Sequence, residues 1–213
     1  MNKVYVISIE ELKRKYSYEE LYKLAPPYRR EKVDKYMFEK DKYLSLGVEY
    51  LLRKALEDVE IDYDKVKIEY NEFGKPYIGN FEHIYFNLSH SEEMCMCVVA
   101  DTEVGCDVQI MQDDFMDIAN SFFTPNELAY IENLKTYEEK KDMFYRLWTL
   151  KESYVKVLGV GGNLDFKSFE MIFETHPEVI KVKMLADIMY STKYHLEEIE
   201  VNDVKYKAAV CYL

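Results

Sequence analysis

The chain has few of the residues that mark disulfide-rich, zinc-binding or membrane-spanning proteins. Its four cysteines, Cys95, Cys97, Cys106 and Cys211, show no C-x-x-C spacing and lie in apolar, strand-like runs, which indicates buried thiols in a reducing compartment. No apolar run approaches the length of a membrane span. The first such run, "VYVISI", is too short for the core of a signal peptide, so we expect a cytoplasmic protein.

Basic residues are also in deficit. Lysine and arginine number 28 against 40 acidic residues, giving a formal net charge of −12, which argues against a nucleic-acid partner because a phosphate backbone attracts basic surfaces. One local basic cluster, at Arg29, Arg30, Lys32 and Lys35, is explained equally well by a solvated helix face or by a binding surface. With 213 residues, 48% of them hydrophobic, the chain can bury a proper core.

The apolar spacing predicts an α+β protein whose two halves each carry helices and several strands. We predict strands at "VYVISI", "HIYFNLSH", "MCMCVVAD", "EVGCDVQI", "FEMIFET", "VIKVKML", "YHLEEIEV" and "YKAAVCYL", and a hairpin in "KVKIEYNEFGKPYI". Predicted helices cover 39–61, "TPNELAYIENL" and roughly 138–158. We divide the chain into subdomains at residues 1–102 and 103–213.

The last predicted helix contains the stretch "LWTLKESYVK". Trp148, Glu152 and Lys156 are spaced i, i+4, i+8 and therefore project from one helix face. A glutamate four residues before a lysine is the favoured exposed ion pair, which would explain Glu152 and Lys156 without any function. The tryptophan one turn earlier weakens that interpretation, because solvent-facing stripes seldom carry this residue.

In "VGCDVQ", Asp107 and Gln109 are two apart on a predicted strand and share a face. Together with Glu152 they would offer two carboxylates and one amide oxygen, a set that suits Mg²⁺. An exposed strand carries such residues freely, so this pair alone is weak support for a metal site.

Three further segments leave a functional and a structural interpretation open. In "FNLSHS", Ser89 and His90 point to opposite faces of a strand and cannot form a catalytic dyad, so they either bind phosphate or end a strand. Lys75 in "FGKPY" is either a phosphate contact or a solvated loop lysine. Glu127 in "TPNE" fits a capping box, which explains it without a catalytic role.

Taken together and in order, "FGKP", "FNLSHS", "VGCDVQ", "FFTPNE" and "LWTLKESYVK" resemble the signature segments of 4′-phosphopantetheinyl transferases of the large, surfactin-synthetase-activating type. The resemblance implies an α+β fold of two similar subdomains related by a pseudo-twofold axis, with the active site between them. It implies Mg²⁺-dependent transfer of the phosphopantetheine arm of coenzyme A to a serine of an apo acyl or peptidyl carrier protein, with release of 3′,5′-ADP. A duplicated chain of this kind is expected to act as a monomer.

The resemblance also implies roles for individual residues. Asp107, Gln109 and Glu152 would bind the metal ion. Glu152, or a water that it orients, would be the base for the incoming serine, and Lys156 would stabilise the departing phosphate. The implied contacts to coenzyme A are Lys32, Lys75, Ser89, His90, Lys151 and Lys156, with Arg29, Lys42 and Glu127 as further candidates.

Two residues depart from the pattern of the family. Many relatives have glutamate where this chain has Gln109, so one metal ligand is neutral here. Relatives often have an arginine close to the position of Leu44, so contact with the 3′-phosphate would come from Lys42, Arg29, Lys32 or Lys35.

The stretch "MQDDFMDIANSFF" is the expected docking surface for the carrier protein. Its apolar candidates are Met111, Phe115, Met116, Ile118 and Phe122, although core packing explains some of them equally well. Two other functions stay open. One is a non-catalytic protein that binds carrier protein or coenzyme A with a weakened metal site, and the other is a metal-dependent diphosphate hydrolase.

Overall fold

The computed structural model describes residues 2–173, 179–184 and 189–213, which form an α+β fold. The helices in these ranges are α1 (Ile9–Lys15), α2 (Tyr18–Leu24), α3 (Pro27–Val33), α4 (Glu39–Glu57), α5 (Phe115–Phe122), α6 (Pro125–Glu132) and α7 (Tyr137–Leu158). The strands are β1 (Asn2–Ser8), β2 (Ile68–Tyr70), β3 (Pro76–Ile78), β4 (Tyr85–Ser91), β5 (Met94–Ala100), β6 (Val104–Ile110), β7 (Phe169–Phe173), β8 (Val179–Met184), β9 (Met189–Val201) and β10 (Val204–Tyr212).

The first sheet is antiparallel, in the order β1-β5-β4, and packs against α4. Helix α4 buries leucines at helical spacing, among them Leu52 and Leu56, in the core that it shares with this sheet. At Gly47 the helix comes very close to β5, because a Cβ atom there would lie 2.6 Å from Cys95 Sγ.

The second sheet is also antiparallel, in the order β6-β10-β9-β8-β7, and α7 packs across β6 and β10. A capping box between Thr136 and Glu139 begins α7. The helix ends at Gly159, whose φ of 68° lies in the left-handed region that glycine adopts without a steric penalty. The long, uninterrupted helix therefore has a defined start and stop in the sequence.

The two sheets meet along β4 and β6, whose facing edges are joined through side chains. Both are edge strands of their own sheets, so their outer backbone groups need partners. Side chains of β4 accept hydrogen bonds from alternate backbone N–H groups of β6. The pairs are Cys106 N–H to Asn87 Oδ1 (3.0 Å), Val108 N–H to Ser89 Oγ (3.3 Å) and Ile110 N–H to Ser91 Oγ (3.1 Å).

Within the second subdomain, β6 and α7 make backbone contact at Gly105. A Cβ atom at this position would lie 2.1 Å from the carbonyl oxygen of Ser153 and 2.4 Å from the backbone nitrogen of Val157. No side chain can occupy that space without moving the backbone of the helix or the strand. Glycine at residue 105 therefore sets the distance between the two elements.

The β2–β3 hairpin is bound to the C-terminal end of α7. Asn71 Nδ2 donates to the carbonyl oxygen of Gly159 (2.8 Å). Lys75 Nζ donates to the carbonyl oxygen of Val157 (3.0 Å) and forms an ion pair with Glu103 (3.2 Å). These contacts satisfy carbonyl groups that the end of a helix leaves without intrahelical partners.

The structure confirms the predicted α+β fold with two sheet-and-helix subdomains. The predicted strands, the hairpin and the helices beginning at residues 39, 125 and 137 are present, with ends shifted by a few residues. The last residues of "FEMIFET" and "VIKVKML", 174–175 and 185, lie outside the described residues. The first strand ends at Ser8, which caps α1, rather than at Ile9. Helices α1, α2, α3 and α5 were not predicted. The boundary between residues 102 and 103 stays a prediction. Among the described residues, no helix combines the length and apolar character needed to cross a membrane.

A buried lysine joins α7 to α6 and to β7. Lys151 has a fully buried side chain, and its ammonium lies 2.9 Å from Glu127 Oε2. It also donates to the carbonyl oxygens of Phe166 (2.7 Å) and Phe169 (2.6 Å). Glu127 in turn accepts from the backbone N–H groups of Thr124 and Met171. The pair is fully enclosed by hydrogen bonds within the protein.

Substitution of Gly105 tests the contact between β6 and α7. We expect Gly105→Ala to lower the free energy of unfolding by about 3 kcal/mol, because the new Cβ would meet helix backbone that cannot rotate away. Gly162→Ala is the matched control, since a Cβ there would meet nothing within 4 Å. Urea unfolding of both variants measures the difference. Equal midpoints for the two variants would show that the contact is not tight.

Substitution of Lys151 tests the buried ion pair. We expect Lys151→Met to cost about 3–5 kcal/mol of unfolding free energy, because it leaves the Glu127 carboxylate buried without its cation. Lys140→Met on the same helix is the control, and it should change stability by less than about 0.5 kcal/mol. Unfolding can be followed through the fluorescence of Trp148. A Lys151→Met protein as stable as the control would refute a structural role for this pair.

Candidate active site

A cavity of about 300 Å³ opens where β4, β6 and α7 meet, between the two subdomains. It contains residues from three of the motifs that the sequence singled out, brought together from distant parts of the chain. The lining residues are Leu88, Ser89, His90, Asp107, Gln109, Trp148, Glu152 and Lys156.

One face of α7 forms a wall of this cavity. Trp148, Glu152 and Lys156 all line it, as their spacing on a helix requires. Trp148 is half-buried and packs among aromatic rings, with ring centroids 5.4 Å from Phe122 and 5.6 Å from Phe166. These aromatic contacts hold the Trp148 ring in place. The charged side chains of Glu152 and Lys156 line the cavity one and two turns further along the helix.

Asp107, Lys156 and Ser89 form a closed set of hydrogen bonds. Lys156 Nζ lies 2.6 Å from Asp107 Oδ1 and 3.0 Å from Ser89 Oγ, and Ser89 Oγ lies 2.9 Å from Asp107 Oδ1. The other carboxylate oxygen, Asp107 Oδ2, is buried and has no hydrogen-bond partner. An unpaired buried carboxylate oxygen is costly, so a site that keeps one has a use for it.

The charged groups shift one another's protonation. Burial raises the pKa of Glu152, and the nearby Asp107 carboxylate raises it further, while Lys156 partly opposes the change. For Lys156, burial acts to lower the pKa, but Asp107, Cys106 and Glu152 together act in the opposite direction, and the net pKa is raised. Lys156 therefore remains an ammonium at neutral pH, and Glu152 is a stronger base than an exposed glutamate.

The donor set of the cavity fits a hard cation. Asp107 and Glu152 supply carboxylate oxygens and Gln109 an amide oxygen, and all three line the same space. Oxygen ligands of this kind, completed by water and substrate oxygens, are what Mg²⁺ prefers. In the part of the chain that the structure describes, no three His, Cys, Asp or Glu side chains form a metal-binding group on their own. A cation here would depend on Gln109 or on substrate for further ligands.

Two neighbouring cavities extend this cleft. One, of about 390 Å³, lies under the β2–β3 hairpin and shares Leu88, Glu152 and Lys156 with the first cavity. The other, of about 360 Å³, lies against the first subdomain and shares Leu88 and His90 with the first cavity. The three spaces adjoin one another at Leu88, which lines all of them, and together they form one cleft.

Basic and neutral nitrogen groups line the third cavity. Arg29 and Lys32 lie there beside His90. Desolvation lowers the pKa of His90, and the positive charges of Lys156, Lys32 and Arg29 lower it further, so the imidazole is neutral at pH 7. Arg29 is itself bound to Glu49 through Nε at 2.6 Å, which neutralises much of its charge. Lys32 is exposed, and its charge, unlike that of Arg29, is not neutralised by Glu49.

Several predicted coenzyme A contacts lie elsewhere or are already engaged. Lys151 points into the second subdomain and Glu127 caps α6, so the structure places both outside the cleft. Lys42 is half-buried on the first turn of α4 and lines none of the three cavities. Lys75 lines the second cavity, but its ammonium binds carbonyl groups and Glu103.

Sequence reasoning missed some residues of the cleft. Tyr36 and Ser45 line the third cavity, and Asn87 and Ser91 hold the junction beside it. The alternation of polar residues in "FNLSHS" was a signal for the second pair, because residues two apart share one strand face. Nothing in the local sequence distinguishes Tyr36 from the other tyrosines.

Comparison with known proteins assigns the chain to a family. The profile of the 4′-phosphopantetheinyl transferase superfamily matches residues 103–211, and that of the family described as 4′-phosphopantetheinyl transferase, N-terminal, matches residues 14–103. The two matches together span most of the chain, and the first covers the strand with Asp107 and the helix with Glu152.

Individual relatives agree with the profiles. A 4′-phosphopantetheinyl transferase of Bacillus subtilis is 30% identical over 86% of this chain and 80% of its own length. The 4′-phosphopantetheinyl transferase Sfp of Bacillus subtilis strain 168 is 28% identical over 87% of this chain and 80% of its own length. The gsp protein of Aneurinibacillus migulanus is 37% identical, over 63% of this chain and only 56% of its own length. The chain belongs to the 4′-phosphopantetheinyl transferase superfamily, and it is a phosphopantetheinyl transferase.

Proposed function

We propose that this chain moves the 4′-phosphopantetheine arm of coenzyme A to a serine hydroxyl of an apo acyl or peptidyl carrier protein and releases 3′,5′-ADP. The observation that carries the proposal is the cluster of Asp107, Glu152 and Lys156 in the cleft between the subdomains, in a chain of this family. Two carboxylates and an ammonium around one space suit a reaction at a diphosphate. The carboxylates can hold a cation there, and the ammonium can stabilise the negative charge on the phosphate oxygens.

Asp107, Gln109 and Glu152 would hold Mg²⁺. The unpaired Asp107 Oδ2 and the oxygen-only donor set support this assignment. The ion would supply positive charge to the diphosphate oxygens during transfer. Ser89 and Lys156 already occupy Asp107 Oδ1, so Oδ2 is the oxygen available for a cation.

Glu152 is proposed as the base for the incoming serine, directly or through a water. Its raised pKa makes the carboxylate a better proton acceptor than an exposed glutamate, and it lies at the boundary of two cavities where an acceptor could enter. Lys156 is proposed to stabilise the negative charge on the departing phosphate, since its ammonium stays charged at the centre of the cleft.

The residues that line the cavities support a placement for coenzyme A in the cleft. With the diphosphate in the cavity that holds Asp107 and Lys156, the 3′-phosphate would lie in the adjoining cavity by Lys32, His90 and Arg29. Leu44 is buried and offers no charge at the position where relatives often have arginine, and Lys42 lies away from the cavity. We therefore propose Lys32 and His90 as the main 3′-phosphate contacts, with the Arg29 charge reduced by Glu49.

The carrier protein is proposed to dock against α5 and the segment before it. Ile118 is 36% exposed and Phe122 is 44% exposed, while Met111 and Met116 are partly buried. Phe115 is fully buried against Phe144 and belongs to the core. The exposed pair beside the Trp148 wall of the cleft gives an apolar contact for a partner that must reach the active site.

Two alternatives have weaker support. A non-catalytic binding protein would not need Asp107, Glu152 and Lys156 together, and a diphosphate hydrolase would not need an apolar docking surface beside the cleft. We propose that the chain acts as a monomer in the cytoplasm, where its four free, buried cysteines would stay reduced.

Intact mass of a carrier protein tests the proposed reaction. Incubation of an apo carrier with the protein, coenzyme A and Mg²⁺ should add one phosphopantetheine arm, and a chelator should abolish the gain. Glu152→Gln should slow transfer by at least about a hundredfold, because it removes the base and one negative charge from the proposed metal site. Glu132→Gln, at the end of α6, is the control and should act like the wild type.

The outcomes separate the three functions. Release of 3′,5′-ADP without any carrier would indicate the hydrolase. Coenzyme A binding with no mass gain across several fatty-acid, polyketide and peptide carriers would indicate the non-catalytic protein.

Substitution of Ile118 tests the docking surface. We expect Ile118→Ser to raise the KM for carrier protein about tenfold, because it removes an apolar side chain of the contact, while the KM for coenzyme A stays unchanged. Leu24→Ser, with 41% exposure in the other subdomain, is the control.

Because the contact is apolar, the KM for carrier should also change less than about threefold between low and high salt. A steep salt dependence would show that charge dominates docking.

A further inference from the structure

One asparagine connects the β2–β3 hairpin to the end of the helix that carries Glu152 and Lys156. Asn71 Nδ2 donates a hydrogen bond to the carbonyl oxygen of Gly159 (2.8 Å), the residue at which α7 ends. The two residues are 88 positions apart in the chain. The bond therefore joins an element of the first subdomain to an element of the second.

The same side chain also shapes the loop between the two strands of the hairpin. Asn71 Oδ1 accepts from the backbone N–H groups of Phe73 (3.0 Å) and Lys75 (2.8 Å). An asparagine that accepts from the backbone two residues further on is a typical turn former. The side-chain oxygen thus holds the loop in shape, while the amide nitrogen holds the loop to α7.

The loop and the end of the helix fit closely together. Gly159 has a φ of 68°, and a Cβ atom there would lie 3.0 Å from Asn71 Nδ2 and 2.9 Å from Lys75 Cδ. Two residues further on, a Cβ atom at Gly161 would lie 3.6 Å from the carbonyl oxygen of Phe73. The loop therefore lies directly against the glycine-rich segment that follows α7.

This loop forms part of the wall of the cleft. Gly74 and Pro76 line both the second and the third cavity. Phe73 and Lys75 line the second cavity, which also borders the charged face of α7. Asn71 itself lines none of the three cavities of the cleft. A change at Asn71 can therefore reach a ligand in the cleft only through the loop.

We propose that Asn71 is a positioning residue, which holds the hairpin loop against the end of α7 and so keeps the walls of the cleft in place for coenzyme A. The inference rests on the proposed function, because that function supplies the ligand. It deepens that function by assigning part of the affinity for coenzyme A to a residue whose side chain lies outside the cleft.

The geometry predicts an effect on coenzyme A binding rather than on turnover. Glu152 and Lys156 are held by α7 and, for the lysine, by Asp107, and Asn71 takes no part in those contacts. A loop that is not attached must lose conformational freedom when a ligand binds, and this loss weakens binding. The bond to Gly159 supplies that order in advance.

Lys75 makes a further link between the loop and the helix, but it is less suited to a test. Its ammonium donates to the carbonyl oxygen of Val157 (3.0 Å) from the end of a long, flexible side chain. Because Lys75 also lines the second cavity, a substitution there would change the surface that a ligand meets. Substitution of Asn71 changes the link and leaves that surface intact.

The test compares Asn71→Ala, Asn71→Asp and Asn80→Ala. Asn71→Ala removes all three side-chain bonds. Asn71→Asp keeps an oxygen for the loop N–H groups but replaces the donor to Gly159 by a second acceptor. Asn80→Ala is the matched control, because Asn80 accepts from Lys67 N–H (2.8 Å) and donates to the carbonyl oxygen of Lys65 (2.9 Å) within the first subdomain.

We expect both Asn71 variants to raise the Kd and the KM for coenzyme A by about fivefold to tenfold, the effect of one lost hydrogen bond. Calorimetry measures the Kd, and steady-state carrier modification measures the KM. The kcat at saturating coenzyme A and the KM for carrier should stay within about twofold of the wild type. Asn80→Ala should resemble the wild type in all of these quantities.

Three results would overturn the proposal. A fall in kcat as large as the rise in Kd would show that Asn71 acts on the catalytic groups of α7 and not on the loop. Wild-type behaviour of Asn71→Asp would show that only the shape of the turn matters. An equal effect in Asn80→Ala would assign the change to the hairpin in general.

A second readout depends on neither coenzyme A nor carrier protein. Phe73 is 45% exposed, so chymotrypsin can cut after it when the loop opens. Cleavage there, followed by mass spectrometry of the native protein, should be several-fold faster in both Asn71 variants than in the wild type or Asn80→Ala. Equal cleavage rates would refute the link. If the wild type modifies no carrier, the proposed function fails, and the cleavage rates still decide whether Asn71 holds the loop.

Discussion

The backbone contact between β6 and α7 at Gly105 is the constraint on which the site depends. Asp107 lies two residues further along β6, on the same face as the glycine, and Lys156 lies next to the helix backbone that this glycine meets. A strand and a helix separated by ordinary side chains would stand several ångströms further apart, and an aspartate could not then reach a lysine on the helix at 2.6 Å. The G-x-D spacing therefore determines the distance between the strand and the helix as well as the residue types at the site.

Two buried or partly buried pairs of opposite charge show how the same interaction serves different purposes. Lys151 with Glu127 is closed, because every polar atom around it has a protein partner. Asp107 with Lys156 is open, because one carboxylate oxygen has none and the pair faces a cavity. Closed pairs stabilise the packing of elements, whereas an open pair stores an unfavourable contact that a ligand can relieve. The difference separates a structural lysine from a catalytic candidate five residues away on the same helix.

The sequence could predict those features that depend on spacing along one element. The face of Trp148, Glu152 and Lys156 follows from helical geometry, and the long helices and apolar strands follow from periodicity. Helices α1 to α3 have seven residues each, too few turns to show a clear period. The engagement of Lys151 and Lys75 could not be predicted, because it depends on which carbonyl groups other elements bring within reach.

The cation nearest to Gln109 on the neighbouring strand β10 already has acidic partners, so it does not require a glutamate at position 109. The cross-strand neighbour of Gln109 is Lys207, whose buried ammonium lies 2.5 Å from Asp142 Oδ1 and 3.1 Å from Glu198 Oε2. A glutamate at position 109 would face a lysine that already has two carboxylates, so it would gain little from that cation. The negative charge available for Mg²⁺ then resides on Asp107 and Glu152, and the amide adds an oxygen without adding repulsion between them. Glutamine at position 109 therefore lowers the negative charge of the proposed site by one relative to glutamate.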